Sequence, residues 1–177
     1  MPKQHFAHVE TWIFDLDNTL YPPAARLFDQ IEVKMTDWVA RALSVDRDEA
    51  NRVRVDYWQR YGTTLAGLMR EHDLDPAPYL DEVHDISLDH LAPAPDLAQA
   101  IDALPGRCIV YTNGCEPYAR RVLAARGIEL CFEVVYGVEH AAFVPKPERA
   151  AFETIASIDG FDHRASAMFE DDIRNLE

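Results

Sequence analysis

Four short stretches concentrate carboxylates, hydroxyls, amides and a single lysine: Asp15-Leu16-Asp17-Asn18-Thr19, Thr112-Asn113-Gly114, Lys146 between Pro145 and Pro147, and Glu170-Asp171-Asp172. Each alone is ordinary turn or surface-loop chemistry. Asp15 and Asp17 are two apart, the period that brings side chains to one face of an extended segment. One electrophilic centre could therefore meet both. Were that centre a phosphate dianion, it and the two carboxylates would repel one another, each like-charge pair near 4 Å costing roughly 4 kcal/mol at an effective dielectric of about 20. A dication and a lysine are needed to offset this. Hard oxygen ligands select Mg²⁺, which takes one or two carboxylates plus a phosphate oxygen, and Asp15 and Asp171 suit that task.

The elements around these stretches place them together. Thr11-Trp12-Ile13-Phe14 is an apolar, β-branched and aromatic run that stops at Asp15, which predicts a buried strand. Tyr21-Pro22-Pro23 breaks it, and from about Ala24 the apolar residues Leu27, Phe28, Ile31, Met35, Trp38, Val39 and Ala42 recur at helical steps. Asp46 and Glu49 have capping-box spacing ahead of a second helix, whose Val53, Tyr57, Trp58 and Tyr61 share a face before Gly62. At that spacing the aromatics are expected to pack between helices. Thr63 to Met69 opens a third helix and Tyr79 to His84 a fourth. After Pro93-Ala94-Pro95, Asp96 is expected to cap a helix through Leu104. Strands and helices then alternate: Cys108 to Tyr111, Glu116 to Arg126 ended by Gly127, Phe132 to Gly137, Pro147 to Ile158, and Ala165 to Phe169. This alternation predicts an α/β fold with an open parallel sheet, whose ligand sites lie beyond the carboxyl ends of the strands. Every predicted strand but the third is followed at once by one of the polar stretches, and Lys146 sits in the loop after that third strand. All four should meet at one rim.

Composition excludes other classes. The 177 residues suffice for one buried core plus a modest insertion, and 48% are hydrophobic without a run approaching the roughly 18 of a membrane span. A folded, soluble, cytoplasmic protein is expected, since residues 1–10 carry no apolar signal region. Seventeen basic against thirty-one acidic residues give a net charge of −14, which would repel nucleic acid. Cys108, Cys115 and Cys131 lack CxxC spacing and are expected as reduced, partly buried thiols. The seven histidines show no HxH or HExxH pattern. Nothing in the sequence sets an oligomeric state.

Taken in order on these strand ends, the four stretches resemble the signature motifs of the haloacid dehalogenase superfamily, from Trp12 to Glu177. The resemblance implies a Rossmann-like core of residues 1–21 and 93–177 with a helical cap, residues 22–92, inserted after the first strand. It also implies a Mg²⁺-dependent phosphatase. By similarity, Asp15 attacks phosphorus to form an aspartyl-phosphate that water hydrolyses. Asp17 protonates the leaving alcohol and later takes a proton from water, its backbone carbonyl also touching the metal. Thr112 and Lys146 hold phosphate oxygens, with Asn113 helping. Asp171 ligates the metal directly, and Glu170 and Asp172 support the ligands from behind.

Asn18-Thr19-Leu20-Tyr21-Pro22-Pro23 and Tyr61-Gly62-Thr63-Thr64-Leu65-Ala66-Gly67-Leu68 look like the cap of the pyrimidine 5′-nucleotidase branch. That points to a small phosphorylated metabolite, a nucleoside 5′-monophosphate foremost, with Thr63 and Thr64 as substrate contacts or helix caps. A sugar-phosphate phosphatase, a phosphomutase and a non-catalytic phosphate-binding module are the alternatives. The family core normally adds a strand and helix after the last acidic motif, so the natural protein is expected to continue past Glu177.

Overall fold

The computed structural model describes residues 6–176. Four parallel strands, β1 (Thr11–Phe14), β2 (Arg107–Tyr111), β3 (Val134–Tyr136) and β4 (Ser166–Phe169), form one sheet in the order β3-β2-β1-β4. Trp12 pairs with Cys108 on one side and Ala167 on the other, so β1 is central and Asp15 leaves the sheet at its middle.

Side-chain alternation divides the core between the two faces of the sheet. Trp12, Phe14, Cys108 and Val110 join one apolar cluster, while Ile13, Ile109 and Tyr111 join the other. Both faces are thereby covered, the usual condition of a parallel sheet. The first face receives Tyr118, Ala119, Val122 and Leu123 from the helix Glu116–Arg126, and the second receives Ala151 and Ile155 from the helix Arg149–Asp159. The latter helix is tied down at its end: Arg107 grips Asp159 through two bonds of 2.6 and 3.1 Å, and the Tyr136 hydroxyl donates to the same carboxylate at 3.0 Å.

Between β1 and β2 lie five helices: α1 (Leu27–Leu43), α2 (Arg47–Tyr61), α3 (Thr64–His72), α4 (Pro76–Val83) and α5 (Pro95–Asp102). The helices Glu116–Arg126 and Arg149–Asp159 are α6 and α7. α1 buries Leu27, Ile31, Met35 and Val39, the stripe its apolar spacing predicts. The Asp46 carboxylate accepts from the Glu49 N–H at 2.9 Å, the cap its sequence spacing promises.

Several expected boundaries move, each for a local reason. α1 starts at Leu27 because Pro23–Ala25 form a 3-10 turn and Arg26 takes a left-handed φ of 52°. Asp96 is not the cap of α5: Pro95 occupies the first helical position, Ala94 precedes it, and Asp96 falls in the first turn where its charge meets the helix dipole. β3 is shorter than Phe132 to Gly137, being hemmed by the 3-10 turns Glu129–Cys131 and Val138–Ala141. Trp58 departs from the expected packing, since Tyr57 is buried but Trp58 is 43% exposed. Cys108 and Cys115 are buried free thiols and Cys131 is a partly buried one. No helix among the described residues is long and apolar enough to cross a membrane.

Candidate functional site

Asp15 follows β1 directly, held in line by its N–H, which donates to Phe169 on β4 at 2.9 Å. The chain then closes a tight turn in which the Leu20 N–H reaches Leu16 O at 2.9 Å and Asn18 takes a left-handed φ of 60°. Asn tolerates that region better than most residues. The turn puts Asp17 and Tyr21 beside Asp15, and Arg126 of α6 holds it from below through Leu20 O.

The buried Lys146 ammonium is the centre of the cluster. It donates to Asp15 Oδ1 at 2.7 Å, to Glu170 Oε2 at 2.6 Å and to Tyr111 O at 3.2 Å. All three donor positions of the ammonium are used. The Asn113 side chain fixes this lysine's backbone at both ends, accepting from Lys146 N at 2.8 Å and donating to Lys146 O at 3.2 Å. Thr112 is fully buried, and its hydroxyl oxygen accepts from the Gly114 N–H at 3.0 Å, which leaves its own proton for another acceptor.

Carboxylate oxygens of Asp15, Glu170 and Asp171 lie within 4.8 Å of one another. Three acids thus face one lysine, and the electrostatics register the shortfall. Burial pushes the Asp15 carboxyl up to about 7, Lys146 opposing the rise while Glu170 and Asp17 add to it. Burial likewise raises Asp171, with Glu170 contributing, and raises Asp17 against the hydrogen bonds from Tyr21 and Tyr118. Burial alone would depress Lys146, but Asp15 and Glu170 prevail and hold it above its ordinary value. Clustered hard oxygens with too little positive charge fit a small divalent cation such as Mg²⁺.

The remaining candidates divide. Asp172 turns to Arg174, which grips both its oxygens, so Glu170 is the flanking acid in contact with Lys146. Thr63 and Thr64 both line the cleft above the cluster. The Thr63 hydroxyl oxygen caps α3 by accepting from Ala66 N at 3.1 Å, and the Thr64 hydroxyl donates to Arg54 O at 3.1 Å. Asp15, Asp17, Thr112, Asn113, Glu170, Asp171 and Asp172 border the same cleft, of about 640 Å³, with Phe28, Arg54, Trp58 and Tyr61 on its far wall.

Motif spacing did not reveal Tyr118, Trp58 or Arg174. The Arg174 guanidinium lies 4.0 Å from the Trp58 ring, joining α2 to the turn after β4. Tyr118 donates to Asp17 across 101 positions of sequence, a separation that carries no local signal.

A family model for haloacid dehalogenase-like hydrolases matches residues 9–177. Phosphate metabolism protein 8 of Saccharomyces cerevisiae is 26% identical over 178 residues, covering 92% of this chain and 56% of that protein, so the chain spans little more than half of its relative. Among solved structures, the HAD-hydrolase YfnB from Bacillus subtilis, bound to magnesium, aligns with a TM-score of 0.56 at 14% identity over 94% of this chain and 80% of that one. A HAD phosphatase from Thermococcus onnurineus gives 0.55 at 17% identity over 94% and 79%. L-2-haloacid dehalogenase from Xanthobacter autotrophicus gives 0.51 at 18% identity over 90% and 69%. At such identities these likenesses speak for the fold alone. With the family model spanning nearly the whole chain and the fold shared, the chain belongs to the haloacid dehalogenase-like hydrolases.

Proposed function

We propose that this chain is a Mg²⁺-dependent phosphomonoester hydrolase working through an aspartyl-phosphate on Asp15. The observation that carries the reading is the sharing of one buried ammonium, Lys146, by Asp15 and Glu170, with Asp171 completing the acidic cluster at the cleft. Asp15, Asp171 and the Asp17 backbone carbonyl would hold the metal, with Glu170 alongside. When bound, Mg²⁺ supplies charge neutralisation and polarises a phosphoryl oxygen.

The chain's own groups then divide the work. An Asp15 oxygen bonds to phosphorus as the ester P–O bond breaks, and Asp17 gives its proton to the departing alcohol oxygen. Water next attacks phosphorus, losing a proton to Asp17, and the Asp15 O–P bond breaks to release inorganic phosphate. The free proton of Thr112 and the Asn113 N–H hold the phosphoryl oxygens, and Lys146 joins them by exchanging one of its three present acceptors for a phosphoryl oxygen; the Asn113 N–H has no protein acceptor among the described residues.

The substrate we favour is a nucleoside 5′-monophosphate, a pyrimidine one foremost, received beneath a helical cap of residues 22–92. The cleft volume falls within the range of small-molecule sites, and exposed Trp58 and Phe28 give its far wall aromatic surface. A sugar-phosphate phosphatase or a phosphomutase would use the same core. Dehalogenation is disfavoured because Asp17 supplies an acid/base which that reaction does not need. The name of the yeast relative is in keeping with phosphate chemistry. Phosphate release from a panel of phosphomonoesters, with and without Mg²⁺, is the test. Metal-dependent release that is highest on nucleotides supports the reading, and complete inactivity of folded protein toward every ester, aryl phosphates included, would leave a phosphate-binding module.

A further inference from the structure

Two tyrosine hydroxyls converge on one oxygen of Asp17. Tyr21 donates to Oδ1 at 2.6 Å and Tyr118 donates to the same atom at 2.8 Å. Both rings are buried, and the two hydroxyls are 3.5 Å apart. Tyr21 is delivered by the turn after β1, and Tyr118 by the first turns of α6. The Tyr118 ring is itself held flat against His84, with centroids 4.5 Å apart and planes 5° from parallel, and His84 Nδ1 sits 3.1 Å from Cys115 Sγ. Three segments distant in sequence thus fix the direction of one carboxylate.

A carboxylate oxygen has roughly two lone-pair sites, so Oδ1 is filled. No donor among the described residues reaches Oδ2, which is not among the buried unpartnered atoms, and Asp17 borders the cleft. Were the acid proton on Oδ1, one of the two buried phenols would have to turn its hydrogen to the other hydroxyl, 3.5 Å away and so a poor acceptor, or leave it unsatisfied, and either is costly for a buried group. We infer that Tyr21 and Tyr118 are positioning residues that clamp Asp17 by Oδ1 and assign proton delivery to Oδ2, the oxygen open to the cleft. This rests on the hydrolase reading above. Asp17 Oδ2–H breaks as the proton passes to the leaving oxygen, and the same atom regains a proton from the water that hydrolyses the phosphoenzyme. The tyrosines exchange nothing; without them the carboxylate is free to rotate, and a general acid even 1 Å out of place can lose about 10²-fold.

Two buried phenols could also be there only for packing, with Asp17 a convenient acceptor. Leaving-group dependence separates the roles. Tyr118→Phe and Tyr21→Phe are compared with wild type in the full chain with Mg²⁺, reading kcat/KM for an alkyl phosphomonoester and for 2,4-dinitrophenyl phosphate, whose departing oxygen needs no proton. Circular dichroism checks the fold, and either variant suffices if the other does not fold. The expected result is a loss of about 10- to 100-fold on the alkyl ester, at least tenfold greater than the loss on the aryl ester. Equal losses on both esters, or none on either, with wild type active would overturn the clamp alone. Wild type inert toward both esters would overturn the hydrolase reading and the clamp with it.

Discussion

Asp15 and Asp17 are both carboxylates beside the same lysine, yet their surroundings differ, as the different work proposed for them requires. Asp15 is bonded to Lys146 and belongs to the acid cluster, whereas among the described residues the Asp17 carboxylate is bonded only to the two tyrosine hydroxyls. Substitutions should therefore fail differently. On the proposed roles, Asp15→Asn keeps the size but removes the nucleophile, so rapid-quench trapping with a ³²P-labelled ester should find no label on the protein. Asp17→Asn leaves the nucleophile and removes proton transfer, typically worth about 10² to 10⁴ in rate. Label should still accumulate from a good leaving group and fail to do so from a nucleotide. Label on the Asp15 variant, or equal losses across leaving groups for the Asp17 variant, would reverse the assignment. Of these residues the acids and Lys146 were legible as one cluster, because motif spacing puts the acids at strand ends and Lys146 in the loop after the third strand. Glu170 was legible in position, but its bond to Lys146 was not, since that partner is 24 positions away and reaches it only once β1 and β4 are paired.

At the scale of elements, helix stops and starts were readable where a local signal acts alone. Asp46 before α2, Thr63 before α3 and Gly127 after α6, with its φ of 67°, are such cases. Boundaries went astray where a neighbouring turn claims the residues first, as at Arg26 and Phe132. One packing feature runs against propensity. Gly67 lies inside α3, where alanine would favour the helix by about 1 kcal/mol. A Cβ there would stand 2.4 Å from both Cβ and Cγ of Tyr57 on α2, atoms close to the backbone that cannot swing aside. Overpacking of this kind costs about 1 to 3 kcal/mol. Gly67→Ala is accordingly expected to be destabilising despite its better propensity, by about 1 kcal/mol net. A urea melt at constant m-value would show it, and an unchanged or higher midpoint would mean that the two helices can separate freely.

Across the whole molecule, the proposed function asks an acidic chain to gather an anionic substrate and a cleft between two sets of elements to choose among substrates. The first demand predicts a metal linkage: Mg²⁺ that binds only the folded cluster stabilises by about 3 kcal/mol at a hundredfold excess over Kd. For a chain of this size that is a rise of about 6 to 12 °C in Tm. Asp171→Ala should abolish the rise, while potassium chloride at equal ionic strength should not reproduce it in wild type. The second demand concerns the far wall. Arg174 lies against Trp58, and a Cβ on Gly62 would meet Lys146 O at 3.4 Å, so the helical segment touches the loops that carry Lys146 and Arg174 rather than standing apart. Sequence periodicity assigned Trp58 to helix packing because spacing cannot tell a face turned to a neighbouring helix from one turned to a cleft.

Thr63 and Thr64 stand on this far wall with hydroxyls half committed. Thr63 accepts from Ala66 and keeps its proton, and Thr64 donates to Arg54 and keeps a lone pair. Each can therefore meet a sugar or base without giving up its structural bond. Replacing both by alanine should cost about 1 kcal/mol of stability for the lost cap. It should also reorder kcat/KM among nucleotides and sugar phosphates while changing a small aryl phosphate, too short to reach them, by less. A uniform loss on every substrate would mean that the pair acts only by holding α3 and that selection lies elsewhere on the wall.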